Sequence, residues 1–174
     1  MSEAKLESTP EGDRPQGDGW FILNATQAAW KANPAFGQWL AFENDARFPA
    51  IGLNIHLLQP GQAACKYHRE GAQEDFLVLS GECFLIVDEE ERPMKQWDLF
   101  HCPAGVNHVF VGAGDGPCAI LMIGERKPDC EIVYPVSKLA AKHGASVETE
   151  TNNPREAYAD APPSTPIKAP WPLA

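Results

Sequence analysis

Tyr67-His68-Arg69-Glu70-Gly71-Ala72-Gln73-Glu74-Asp75-Phe76-Leu77-Val78-Leu79-Ser80-Gly81 sets metal-ligating side chains directly ahead of an apolar run closed by glycine. His68, Glu70 and Glu74 fall within seven residues of one another. Alternate side chains of an extended strand share a face, and residues two apart lie roughly 7 Å apart at their α-carbons, so His68 and Glu70 can converge on one ion. Glu74 follows a short bend containing Gly71 and heads Phe76-Leu77-Val78-Leu79, which reads as a buried strand ending at Gly81. From that neighbouring strand it can reach the same point.

A second stretch, Asp98-Leu99-Phe100-His101-Cys102-Pro103-Ala104-Gly105-Val106-Asn107-His108-Val109-Phe110-Val111-Gly112, supplies His108 as a fourth candidate ligand. Around both lie short strand-like runs. Ile51, Leu53, Ile55 and Leu57 alternate with Gly52, Asn54, His56 and Leu58 and stop at Pro60-Gly61, which predicts a strand with one core face. His56 then either lines a pocket or meets solvent. Glu82 to Val87 and Met94 to Trp97 flank an acidic tip, Asp88 to Pro93, that reads as a solvated hairpin turn. Leu99 to Cys102, Val109 to Val111 and Cys118 to Ile123 add further strands. Strands at roughly ten-residue spacing, punctuated by Gly and Pro, argue for an all-β sandwich or barrel.

The two stretches resemble the paired motifs of the cupin family, a double-stranded β-helix or jelly-roll barrel. The first family motif is Gly-x5-His-x-His-x3/4-Glu-x6-Gly; here it starts at Gly61, has His68 one place late and Glu70 at the second histidine position, then keeps the spacing to Glu74 and Gly81. The second is Gly-x5-Pro-x-Gly-x2-His-x3-Asn. Pro103, Gly105 and His108 match it, Asp98 sits near the expected glycine, and Gly112 replaces the asparagine. The hydrophobic pattern extends the likeness from Leu53 through Gly124. The resemblance implies a jelly-roll cupin barrel followed by short C-terminal helices, one divalent metal ion per chain held by His68, Glu70, Glu74 and His108, and a small organic molecule as ligand or substrate.

At 174 residues and 44% hydrophobic content the chain has room for one domain with a sizeable core. A formal net charge of −10 repels nucleic acid and anionic membrane surfaces. No stretch approaches the ~20 apolar residues of a membrane span, and Met1 to Lys5 lacks a signal-peptide core, so a cytoplasmic location is expected. Cys65, Cys83, Cys102, Cys118 and Cys130 have no paired spacing and read as reduced packing residues.

Residues 1–18 show neither helix nor strand period and are expected to be a flexible tail. Residues 19–135 form the barrel with two N-terminal edge strands, Trp20 to Leu23 and Phe36 to Glu43, separated by a helical turn between Ala25 and Lys31. Such edges suit pairing with a second copy, so a homodimer is expected. Residues 136–174 hold a helix capped by Ser137 and ended by Gly144, a second after Pro154, and a Pro-rich extended tail with Trp171 and Leu173. His143, in the last turn of the first helix, reads as local structure.

Two neutral imidazoles and two carboxylates bring the charge around a divalent cation near zero, and carboxylate oxygen favours harder ions: Mn or Fe gain ground, while Zn and Ni remain open. If Glu70 instead stands back as a catalytic general base, His68, Glu74 and His108 make a two-histidine, one-carboxylate set with open positions. Three functions stay open: a metal-dependent enzyme of dioxygenase, decarboxylase or isomerase type, a non-catalytic cupin that binds a small ligand, and a scaffold.

Overall fold

The computed structural model describes residues 2–43 and 47–170. Its strands in chain order are β1 (Lys5–Thr9), β2 (Gly12–Gln16), β3 (Trp30–Asn33), β4 (Gly37–Ala41), β5 (Ile51–Leu58), β6 (Arg69–Glu70), β7 (Glu74–Ser80), β8 (Glu82–Val87), β9 (Glu90–Lys95), β10 (Leu99–Cys102), β11 (His108–Ala113), β12 (Cys118–Glu125) and β13 (Ile132–Val133). Helices α1 (Lys138–Ala141) and α2 (Pro154–Ala157) follow, and β14 (Thr165–Ile167) closes the described chain.

A seven-stranded sheet has the order β10-β7-β12-β5-β4-β3-β14, and a three-stranded sheet the order β11-β8-β9. Phe76, Val78 and Ile120 of the first sheet share one buried cluster with Cys83, Leu85, Met94 and Phe110 of the second, so the two sheets close on each other as a jelly roll. Backbone bridges Ala63↔Val111 and His68↔His108 lay the segment after β5 along β11. Two glycines are set by close approach of backbone. Gly81 joins β7 to β8 at φ +75°, where an added Cβ would lie 2.4 Å from the Pro117 carbonyl oxygen. At Gly112 a Cβ would lie 2.2 Å from the Gln59 carbonyl oxygen. The asparagine of the family motif has no room there.

Both faces of β5 are covered, where alternation predicted one core face. Leu58 packs inside the barrel, whereas Ile55 and Leu57 pack outside it against Trp30, Leu40 and Ala119. This outer layer explains several departures from the sequence reading. Ala25 to Lys31 makes no helix: Asn24 Oδ1 accepts from Thr26 N at 2.9 Å to form a turn, and β3 then carries the fully buried Trp30. Burial of that indole outweighs local propensity. β4 lies between β3 and β5, so Phe36 to Glu43 is no edge, and β14 from the Pro-rich tail covers β3. Trp20 makes one bridge to Glu3 and the residues after it are irregular. Residues 5–16, read as part of a flexible tail, form the β1–β2 hairpin. β1 is mostly exposed and β2 (Gly-Asp-Arg-Pro-Gln) half-buried, and neither carries the apolar alternation that sequence reading detects.

Ser137 caps α1, its side chain accepting from Ala140 N, and Gly144 follows at φ +68°. Asn153 caps α2. Trp171 and Leu173 lie outside the described residues.

Candidate metal centre

His68 and His108 are direct cross-strand partners: His68 N donates to His108 O at 3.2 Å, and His108 N donates to His68 O at 2.8 Å. An antiparallel pair that exchanges both bonds places its two side chains on one face, and the rings stand 4.8 Å apart at their centroids. Two positions forty residues apart thus become neighbours. The approach of His108 is braced from the acidic hairpin tip. Asp88 and Glu89, at φ 44° and 63°, make the two-residue turn, Asp88 N donates to Asn107 O at 3.1 Å, and Asp88 Oδ1 accepts from Asn107 Nδ2. Arg69 Nη1 donates to Asn107 Oδ1 and ties the first motif to the second.

Each imidazole is oriented by a backbone carbonyl. Nδ1 of His68 lies 2.8 Å from Lys66 O and Nδ1 of His108 lies 3.2 Å from Val106 O. A carbonyl only accepts, so in each neutral ring the proton sits on Nδ1 and the Nε2 lone pair is free. His108 Nε2 lies 3.5 Å from Glu74 Oε2, and His68 Nε2 lies 3.9 Å from Glu70 Oε1. One donor atom each from His68, Glu74 and His108 falls within 4.8 Å of the others. Ligands of one divalent ion at about 2.1 Å stand about 3–4 Å apart, so small side-chain rotations suffice. Glu70 borders this trio; its side chain is 31% exposed against 14% for Glu74.

Electrostatics follow from burial. Phe76, Phe100 and Phe110 surround His108, and desolvation, with His68 adding to it, lowers its pKa to about 3. His68 is lowered by the same cause. Both rings are therefore neutral at pH 7, as ligation requires. Burial, reinforced by the charge of Glu70, raises Glu74 to about 8. Beside the two rings lie thiols: Cys65 Sγ is 3.6 Å from His68 Nδ1, and Cys102 Sγ is 3.6 Å from His108 Nδ1. Burial pushes both thiols up, Cys102 to about 12. They are packing groups, on the side of each ring away from Nε2. The donor set, two preset neutral imidazoles and a carboxylate, fits a divalent cation.

The trio opens into a cavity of ≈300 Å³ that Asn54, His56 and Arg126 also line. Sequence reading placed Asn54 and His56 on the polar face of their strand but could not tell that this face points inward. Arg126 carried no signal at all, since only the packing of its guanidinium across Gly52 brings it to the wall.

Residues 54–124 match the family model described as "Cupin domain". Over that span the barrel is cupin-like. Among solved structures this chain is similar to a sugar phosphate isomerase from a cupin superfamily of Silicibacter pomeroyi, with 27% identity and a TM-score of 0.50. The likeness covers 62% of this chain and 66% of that one, just under two thirds of its length. The fold is shared with KdgF from Halomonas sp., at 18% identity and a TM-score of 0.52, covering 64% of this chain and 98% of that one. The curated proteins gave no match.

Proposed function

We propose that the chain is a metal-dependent cupin enzyme acting on a small organic molecule. His68, Glu74 and His108 hold one divalent ion, and Glu70 moves the proton. The observation that carries this reading is the pair of Nε2 lone pairs, each preset by a backbone carbonyl, meeting Glu74 at the floor of a cavity. A cation bound there supplies Lewis-acid polarisation of a substrate oxygen. The protein does the rest. The aromatic floor excludes water around His108, the two carbonyls hold the rings, and Glu70, partly exposed and 3.9 Å from His68 Nε2, is free to take a proton from a molecule above the trio and return it.

Proton transfer between neighbouring carbons is isomerase chemistry, and the similarity to the Silicibacter isomerase favours that reaction over decarboxylation or oxygenation. The test is purification without chelator, metal analysis, and assay for aldose–ketose exchange. Stoichiometric Mn, Fe, Zn or Ni with turnover that Glu70→Gln abolishes is expected. Metal-free protein that takes up none of these ions overturns the reading, and binding of ligand without turnover makes the chain a non-catalytic cupin. We also propose that two copies pair through the open β10 edge, beside which Trp97 and Leu99 are 68% and 64% exposed.

A further inference from the structure

Four buried side-chain atoms have no hydrogen-bond partner among the described residues: Gln38 Oε1, Asn54 Oδ1, His56 Nδ1 and Arg126 Nε. Three of the four belong to residues on one wall of the metal-centre cavity. Gly52, Asn54 and His56 occupy alternate positions of β5 and so share its inward face. Arg126 crosses above Gly52, where an added Cβ would come within 3.2 Å of Nη2. The row is held by neighbouring side chains. His56 stacks on Trp39 at 6.1 Å with 21° between the rings, and Arg126 Nη2 is taken by Glu43. Buried polar atoms of folded proteins are nearly always paired. A row of unpaired ones along a cavity wall marks contacts that a bound molecule completes.

We infer that Asn54, His56 and Arg126 form the substrate-orienting wall, and that the substrate is a small, uncharged molecule carrying several hydroxyl groups. The inference rests on the enzyme reading above and names its substrate class. Asn54 Oδ1 needs a donor, Arg126 Nε–H needs an acceptor, and His56 Nδ1 is one or the other according to its tautomer. A hydroxyl is both, so a polyol or aldose chain satisfies every member of the row. A carboxylate only accepts. It would leave Asn54 Oδ1 unpaired and would face Glu70 and Glu125 in the same cavity, where Arg126, the one Lys or Arg side chain among the described lining residues, is already paired with Glu43.

The test is calorimetric titration of the full chain, metal-free and loaded with Mn²⁺, with glycerol, erythritol, ribitol and sorbitol, and with malonate, succinate, glutarate and adipate as chain-length controls. At least one polyol binds, and the dicarboxylate of matching length binds about tenfold more weakly or not at all. Asn54→Leu and His56→Phe each weaken polyol binding about tenfold or more while Mn²⁺ affinity is unchanged. Asn54→Ser and His56→Gln carry the same comparison if an apolar variant loses Mn²⁺ binding. Absence of polyol binding, preference for dicarboxylates, or wild-type polyol affinity in both apolar variants overturns the inference. Polyol binding by a protein that takes up no Mn²⁺ leaves the wall standing and removes the metal enzyme, so the two readings fail separately.

Discussion

At Glu74 two effects act in the same direction: burial and the neighbouring Glu70 charge raise the carboxyl pKa to about 8. Below pH 8 an incoming cation must displace a proton, whereas the lowered histidines are already neutral and add no slope. Mn²⁺ affinity is therefore expected to climb about tenfold per pH unit from pH 6 to 8 and then level off; titration calorimetry giving a flat profile contradicts this. Glu70→Gln removes the second cause and moves the plateau to lower pH. Glu74→Gln, which deletes a ligand oxygen, should lower Mn²⁺ affinity by about 100-fold or more, since even outer partners of a ligand are worth 10–100-fold. His56 gives the stability counterpart. Desolvation lowers its pKa to about 4 from 6.5, so below pH 6.5 the unfolded chain binds the proton more readily than the folded one. Its contribution is whole above pH 6.5 and is lost as pH falls toward 4, a change on the order of 3 kcal/mol. Urea midpoints at pH 7 and pH 4.5 should lie closer together in His56→Gln than in the parent. Spacing put forward His68, Glu70, Glu74 and His108 together, and packing brings donor atoms of His68, Glu74 and His108 within 4.8 Å of one another. Asn54 and His56 were half legible: alternation assigns a face, and only packing tells which face is inside.

Elements bring these residues together, and their turns are where a substitution acts most strongly. Gly112 lies in β11 against the Gln59 backbone, so Gly112→Asn, which restores the residue of the family motif, should destabilise by about 1–3 kcal/mol through overpacking. In a chain of this size that is about 2–4 °C of Tm per kcal/mol, and an unchanged melting curve would show that Gln59 yields freely. β3 carries the outer layer through Trp30, which is fully buried and donates through Nε1 to Ala25 O at 2.8 Å. Trp30→Ala should cost about 3–5 kcal/mol in chemical denaturation. β5, β7, β8, β10, β11 and β12 were readable in the sequence because each carries an apolar run near glycine or proline stops; β6 and β9 carry none, and Glu90 to Pro93, expected in the hairpin turn, belongs to β9. β1, β2, β3 and β14 were not readable either. The first two lack an apolar alternation, β3 is short, and β14 is a proline-containing segment whose strand character comes from pairing with β3.

For the whole molecule, the decisive arrangement is which edges of the large sheet remain open. β14 closes one side over β3, leaving β10 as the other limit, with Trp97 and Leu99 exposed next to it. Light scattering should give twice the 19.0 kDa chain mass, and Leu99→Lys should return the protein to one chain, since a charged edge opposes strand pairing. A parent protein that already runs as one chain removes the proposed dimer. Among the described residues no helix is long and apolar enough to cross a membrane.

The sequence by itself determined the all-β architecture and put forward His68, Glu70, Glu74 and His108 as one candidate set, because strand periodicity and motif spacing are local and survive without coordinates. Tertiary structure alone decided that Glu70 stands at the border of the trio, that the polar face of β5 looks into the cavity, and that the last strand returns to cover the first layer. Each of these depends on which surfaces meet across large separations in the chain, and no short stretch of residues encodes that meeting.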